Sequence, residues 1–200
     1  MAVNTRTDDT RMPPADDLAD ASSVTASNFR AAMASFAAGV TIVTTMDSSN
    51  RPHALTATAF SSVSLSPPLC LVCIDRRSRT YQSVVRTGCF AVNILNADQQ
   101  SLSVHFASAT IDKFEVVRWR AGDVTGCPII EGALAWMECS VAEIYSGGDH
   151  DIFLGRVASV RVHDGTPLVY WRGSYSSLPP APEEERLPTG NGTGLGHPYA

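Results

Sequence analysis

The strongest constraint on the fold is a pair of long β-type runs, Ala133–Tyr145 and Asp151–His163, with Gly147-Gly148-Asp149-His150 between them. In the second run Ile152, Leu154, Ala158, Val160 and Val162 recur with a period of two, the repeat that puts strand side chains on one face. Glycine at two link positions permits the positive φ of a tight hairpin turn. The two runs therefore pair antiparallel.

The rest of the chain reads around that pair. Val40–Met46 is β-branched, 47–50 is turn-like, and Pro52–Ala59 is extended again. Leu69–Ile74, between Pro67-Pro68 and a charged stretch, predicts a central strand, and Phe90–Ile94 another. Asp164-Gly165 predicts a second hairpin turn, leading into Leu168–Trp171. Three short helices are expected. One starts at Ser27 as N-cap, puts Phe29, Met33 and Phe36 on one face, and stops at Gly39. The others are Ser78–Arg86, ended by Gly88, and Asp98–Ala107. Residues 109–131 lack periodicity and read as a long loop. Strands and helices do not alternate as parallel crossovers require, so a mainly β, antiparallel, closed or partly closed barrel fits best.

Composition narrows the function classes. A chain of 200 residues is one domain by default. A net charge of −5 lacks the basic footprint of a nucleic-acid binder. No apolar run approaches a membrane span. The Asp-rich, Pro-interrupted residues 1–26 form an arm without the apolar core of a secretory signal, and 179–200 read as a disordered tail. The five cysteines, mostly inside apolar runs, suit buried thiols in a reducing, cytoplasmic compartment. Cys70 and Cys73 have redox or zinc spacing but sit mid-strand, where i and i+3 point to opposite faces. His53, His105, His150 and His163 form no metal-ligand pattern, so no metal is expected. The glycine run Gly190–Gly196 has neither the spacing nor the flanking strand and helix of a dinucleotide fingerprint.

Three segments carry chemistry. Thr56–Ser66 holds six hydroxyls and no charge, with Thr56, Thr58, Ser62, Ser64 and Ser66 on one parity while the stretch stays extended. Hydroxyls and backbone N–H groups suit a ribityl chain, its phosphate and the polar edge of an isoalloxazine, and Ala57 and Ala59 let a flat ring approach. A Ser/Thr-rich edge strand has the same composition. Asp75-Arg76-Arg77-Ser78-Arg79-Thr80 follows a strand and opens a helix, which makes an anion site or a solvated turn. Gly147–His150 is a flexible turn, or it places His150 as a neutral donor over a second ligand. Tyr175 packs on a ring or caps the barrel.

The order of these blocks resembles the flavin reductase family with the FMN-binding split-barrel fold, the small components of two-component flavin-dependent monooxygenases. The resemblance runs from Phe29 to Leu178. Its carriers are Phe29-Arg30 with Met33, Phe36 and Gly39–Thr45; Leu55–Ala57, Ala59-Phe60, Ser62–Leu65 and Pro67; Phe90–Leu95 with Gln99 and Phe106; and Gly148-Asp149-His150, Phe153, Gly155, Val157, Pro167-Leu168 and Tyr175. It implies a homodimeric split barrel over 27–178 with flavin at the subunit interface. It implies Thr56, Ala57, Thr58, Ala59, Phe60, Ser62 and Val63 around the ring, ribityl and phosphate. Asp75, Arg77, Ser78, Arg79 and Thr80 would serve the phosphates. Asp149 and His150 would meet the nicotinamide nucleotide, and Phe106, Lys113 and Phe114 its far end. The basic run favours FAD over FMN. The implied reaction is hydride transfer from NADH or NADPH to flavin, NADH favoured, supplying a separate monooxygenase. His150 would position the nicotinamide and transfer no proton. The same barrel also supports a pyridoxamine-phosphate-oxidase-like enzyme, a flavin carrier or sensor, or a plain interaction module.

Overall fold

The computed structural model describes residues 24–108 and 112–179. The arm except 24–26, the tail beyond 179 and Gly190–Gly196 lie outside them. The chain divides after Phe36 into a helical unit and a β unit. In the first, α1 spans Ala26–Ala34 and buries none of its residues. Thr25, not Ser27, is its N-cap, because the Thr25 Oγ1 accepts from the Asn28 N–H at 3.1 Å. The helix ends at Ser35, well short of Gly39, which the β unit takes into a strand.

The β unit is mainly antiparallel sheet with a few short helices, as expected. Its strands are β1 Ala38–Gly39, β2 Thr41–Met46, β3 Pro52–Ala57, β4 Phe60–Leu65, β5 Pro68–Asp75, β6 Cys89–Ile94, β7 Trp119–Ala121, β8 Pro128–Ile130, β9 Ala135–Gly147, β10 His150–Val162, β11 Leu168–Trp171 and β12 Ser174–Ser177. Its helices are α2 Arg79–Thr87 and α3 Gln100–Ala107, the latter entered through a 3-10 turn at Ala97–Gln99. Seven strands form one sheet in the order β3-β2-β6-β9-β10-β5-β4. Consecutive strands β3 and β4 thus hold opposite edges, joined only by Thr58-Ala59. In a flat sheet those edges would lie about 29 Å apart, whereas the link reaches about 11 Å. The sheet must therefore roll until its edges meet, and the Cys73 N–H bonds the Ala59 carbonyl at 3.0 Å there. β3 and β4 do not pair, so the roll stays open along this seam. The cleft described below sits there.

The hairpin β9–β10 is the longest pairing, but β10 does not keep one face. Register shifts at Leu154/Gly155 and Val157/Ser159 interrupt the period of two. The core side at its start is Asp151, Phe153 and Gly155, opposite the apolar Ile152 and Leu154. Gly155 is required inside, because a Cβ there would lie 2.5 Å from the Phe90 ring. Phe90, Phe153, Val72, Ile74 and Val43 fill this core, and Ile42, Leu95, Phe106, Ile130 and Leu168 fill a second.

Two expectations about connections fail. Residues 109–131 are not one long loop: β7 and β8 pair from Trp119↔Ile130 to Ala121↔Pro128. Three-residue strands are too short to show a period, and burial of Ile129 and Ile130 settles them. Asp164-Gly165 does not close a hairpin either. β11 leaves the large sheet and pairs with β1 and β12. The Asn96 side chain accepts from the Thr166 N–H at 3.3 Å and turns the chain away.

Candidate functional site

A cleft of about 670 Å³ opens where the rolled edges meet, within the range of cofactor sites. One wall is β3 and its exit, Thr56, Ala57, Thr58 and Ala59. The facing wall is Asp75, Arg77, Ser78, Arg79 and Thr80. Phe106, Lys113 and Phe114 close one end, and His150 overhangs from the start of β10. Phe60, Ser62, Val63, Asp149 and Tyr175 do not line the cleft of a single chain. The hydroxyl row does not survive, because the chain breaks at Thr58-Ala59 and a register shift interrupts β4 between Ser62 and Ser64.

Each wall is fixed from behind. The Thr56 hydroxyl donates to the Ser103 carbonyl at 2.7 Å, tying β3 to α3. The Ser103 hydroxyl in turn meets the Tyr175 hydroxyl at 2.9 Å, which makes Tyr175 a support of α3. The wall therefore offers the ligand the small Ala57 and Ala59 and the backbone more than a file of hydroxyls.

The opposite wall contains three arginines with different fates. Arg76 donates through Nε to the Asp151 carboxylate at 2.7 Å, and through Nη2 to the Ser146 hydroxyl at 2.7 Å and again to Asp151. The Tyr81 hydroxyl completes the set, 2.7 Å from the other Asp151 oxygen. Arg76, then Tyr81, hold the Asp151 carboxyl below the usual carboxylate range. Arg77 folds back on Asp75, its Nη2 2.8 Å from the carboxylate, and with its own backbone N–H brings that carboxyl down to about 2. Arg79 makes no hydrogen bond or ion pair among the described residues. Beside it, Ser78 caps α2 by accepting from the Tyr81 N–H at 3.0 Å. The N-terminal amides of α2 and the Arg79 guanidinium supply donors of the kind that suit an anion. Lys113 lies across from them, its Nζ 2.7 Å from the Phe106 carbonyl. Burial, then the charge of Arg79, pulls its ammonium pKa down.

His150 is held by its neighbour: Nδ1 lies 2.8 Å from the Asp149 carboxylate. A carboxylate accepts only, so Nδ1 carries a proton and donates to Asp149, which leaves Nε2 free of that contact. Asp149 thus acts through His150 and not on the cleft.

The cleft also contains residues the sequence did not assign to the site. His53 lines it and pairs through Nε2 with Asp47 at 3.1 Å, and Cys73 lies on its inner side, its thiol pKa raised by burial. The sequence marked both, His53 as a histidine outside any metal pattern and Cys73 by its spacing from Cys70, but gave neither a place in this cleft. A second cleft of about 410 Å³ adjoins, lined by Arg51, His53, Arg79, Lys113 and Phe114 among others.

These features fit a flat, polar-edged ligand with a phosphate tail: a small-residue surface, a capped helix N-terminus with one uncommitted guanidinium, and an imidazole in the same cleft. The model of the flavin reductase like domain matches residues 33–179. The chain belongs to this family. It is 44% identical over 146 residues to a probable flavin reductase of Rhizobium meliloti (strain 1021), covering 73% of this chain and 47% of that longer protein. It is 38% identical over 153 residues to HsaB, the reductase subunit of a flavin-dependent monooxygenase of Rhodococcus jostii (strain RHA1), covering 76% and 77% of the two chains. Among solved structures, the NADH:FAD oxidoreductase SgcE6 of Streptomyces globisporus, in complex with NAD and FAD fragments, superposes with a TM-score of 0.74 at 36% identity, over 80% of this chain and 94% of that one. No helix among the described residues is long and apolar enough to cross a membrane.

Proposed function

We propose that the chain is an NADH-dependent flavin reductase that supplies reduced flavin to a separate monooxygenase. The observation that carries this reading is a single cleft lined by the α2 N-terminus, Arg79, a small-residue surface and an Asp149-held imidazole, in a chain of the flavin reductase family. The flavin supplies the redox chemistry, accepting a hydride from reduced nicotinamide. The protein's part is to bind and orient. Ala57 and Ala59 give the ring a surface without projecting bulk. Arg79 and the first amides of α2 neutralise a flavin phosphate. The Nε2 of His150 accepts from the nicotinamide carboxamide NH₂ and holds the donor ring at reacting distance. No side chain in the cleft is asked to move a proton.

FAD is the favoured flavin, but not for the reason the Arg76–Arg79 run offered, since Arg76 and Arg77 are committed elsewhere. The adjoining cleft beside Arg79, Lys113 and Arg51 gives its adenylate half a place. Large apolar side chains stand exposed on β9, β10 and β4, including Tyr145, Val160, Val162 and Val63. A second copy of the chain covers them in this reading, and Phe60, Ser62 and Val63 complete the ring site at that interface. Cytoplasmic placement agrees with five free thiols among the described residues.

The test is oxidation of NADH, with NADPH alongside, in the presence of FAD or FMN, for wild type and His150→Ala. The variant should lose about tenfold or more in kcat/KM for NADH and keep flavin affinity. Unchanged kinetics would sink the role of His150. Flavin binding without turnover in the wild type would replace the reductase reading with a carrier. Light scattering of the purified chain at monomer mass would remove the dimer.

A further inference from the structure

Two pairs of thiols lie within contact of each other, neither assigned to the reductase chemistry. Cys70 and Cys139 are 3.7 Å apart between sulfurs, and both are buried in the first core. Cys89 and Cys127 are 3.6 Å apart, and here Cys89 at the start of β6 is partly exposed. Cys127 is fully buried. It rides on the β7–β8 turn, which is fixed from beneath. The buried Glu138 carboxylate accepts from the Val124 N–H at 2.8 Å and the Thr125 hydroxyl at 3.4 Å. The Gly122 N–H bonds the Cys127 carbonyl at 2.9 Å, and Gly122 has no alternative, since a Cβ there would overlap Glu138. On the other side the Thr45 hydroxyl bonds the Cys89 carbonyl at 2.9 Å. Both thiols are held facing each other by well-fixed backbone.

We propose that Cys89 and Cys127 form a peroxide-reactive dithiol, with Cys89 attacking and Cys127 resolving, that closes to an intramolecular disulfide. The Cys127 S–H points its proton at the Cys89 sulfur, which favours the thiolate at Cys89. That contact, helped by Thr87, brings the Cys89 thiol down to about 6, although burial and the charge of Glu138 oppose it. The Cys89 thiolate attacks one oxygen of hydrogen peroxide; an S–O bond forms, the O–O bond breaks, and hydroxide leaves. Cys127 sulfur then displaces hydroxide from the Cys89 sulfenic acid, forming the S–S bond, while its proton goes to the hydroxide as water. The sum is two thiols and one peroxide to one disulfide and two waters. Reduced flavin meeting oxygen generates the peroxide, and that source rests on the reductase reading. The buried Cys70–Cys139 pair has the same separation without an exposed sulfur, so it serves as an internal control.

The experiment is peroxide treatment of the full-length protein, thiol blocking and peptide mapping, with no nicotinamide present. The expected result is a Cys89–Cys127 linked peptide and a mass loss of about 2 Da, abolished in Cys89→Ser and retained in Cys70→Ser. The linked protein should melt roughly 5 °C or more higher, reversibly with a dithiol, because the bridge closes a long loop. Cys89 recovered as sulfinic or sulfonic acid with Cys127 unmodified overturns the proposal, as does linkage of Cys70 to Cys139 instead. A lowered melting point shows the bridge distorting the native sheet, and overturns it too. A second arm runs NADH, flavin and oxygen with and without catalase. Linkage there that catalase abolishes supports the proposed source. Linkage with added peroxide but none during NADH turnover overturns the source alone, and absence of NADH oxidation in that arm overturns the reductase reading instead.

Discussion

The two walls of the cleft look alike in sequence, each a polar stretch beside a strand, yet they are built on opposite plans. The β3 wall spends its hydroxyl inward: Thr56 bonds the Ser103 carbonyl and leaves small side chains and backbone toward the ligand. The α2 wall spends its charges sideways, Arg76 on Asp151 and Arg77 on Asp75, and leaves the Arg79 guanidinium and the helix N-terminus to line the cleft. In both, neighbouring groups satisfy each other first. The ligand meets what remains, because buried or half-buried polar atoms without partners are expensive.

The sharpest way to break the comparison is through the support of the α2 wall. Phe153 is fully buried and meets the Tyr81 ring edge-on at 5.5 Å. Phe153→Ala should lose about 3–5 kcal/mol in urea unfolding and weaken FMN binding with it; a loss under about 1 kcal/mol would show the wall standing on its own. Next comes Arg79→Ala, which should weaken FMN about 10–100-fold while leaving riboflavin affinity and stability unchanged. Equal losses for FMN and riboflavin would mean that Arg79 does not serve the phosphate. Thr56→Val should cost about 1 kcal/mol of stability with little change in FMN affinity. A large loss of affinity would return the hydroxyl to the ligand.

The smallest effect concerns acid. The Asp75 pKa is lowered from 3.8 to about 2, so its stabilisation is complete above its ordinary value and disappears as pH falls through the lowered one. The small difference in melting temperature between wild type and Asp75→Asn should therefore be constant near neutrality and shrink only below about pH 4. The pair is exposed, with Arg77 at 84% side-chain accessibility, which keeps that difference small. A difference that vanishes already well above that range would show that Asp75 is not the titrating group.

Much of this was legible. The β9–β10 hairpin, the α2 limits with Ser78 and Gly88 at its ends, and the membership of Thr56–Ala59, Arg79 and His150 in one site all follow from local patterns and the order of family blocks. The misses share a cause. Ser27, Gly39 and Asp164-Gly165 are sound local signals overridden by Thr25, by pairing of β1 with β11, and by Asn96. The β7–β8 hairpin was invisible because its strands are held by burial, not by pattern.

By itself the sequence determined the element types, the hairpin, the small-residue exit of β3 and the basic turn that opens α2, because these depend on spacing within a few residues. The tertiary structure alone decided that β3 and β4 sit at opposite edges brought together by a roll, that Asp151 takes Arg76 out of the site and leaves Arg79 in it, and that Asp149 takes Nδ1 of His150 and leaves Nε2 free of that contact. Those outcomes rest on partners distant in the chain, or on the ring nitrogen a neighbouring carboxylate engages, and no local pattern encodes which polar group is left over once every other has found its mate.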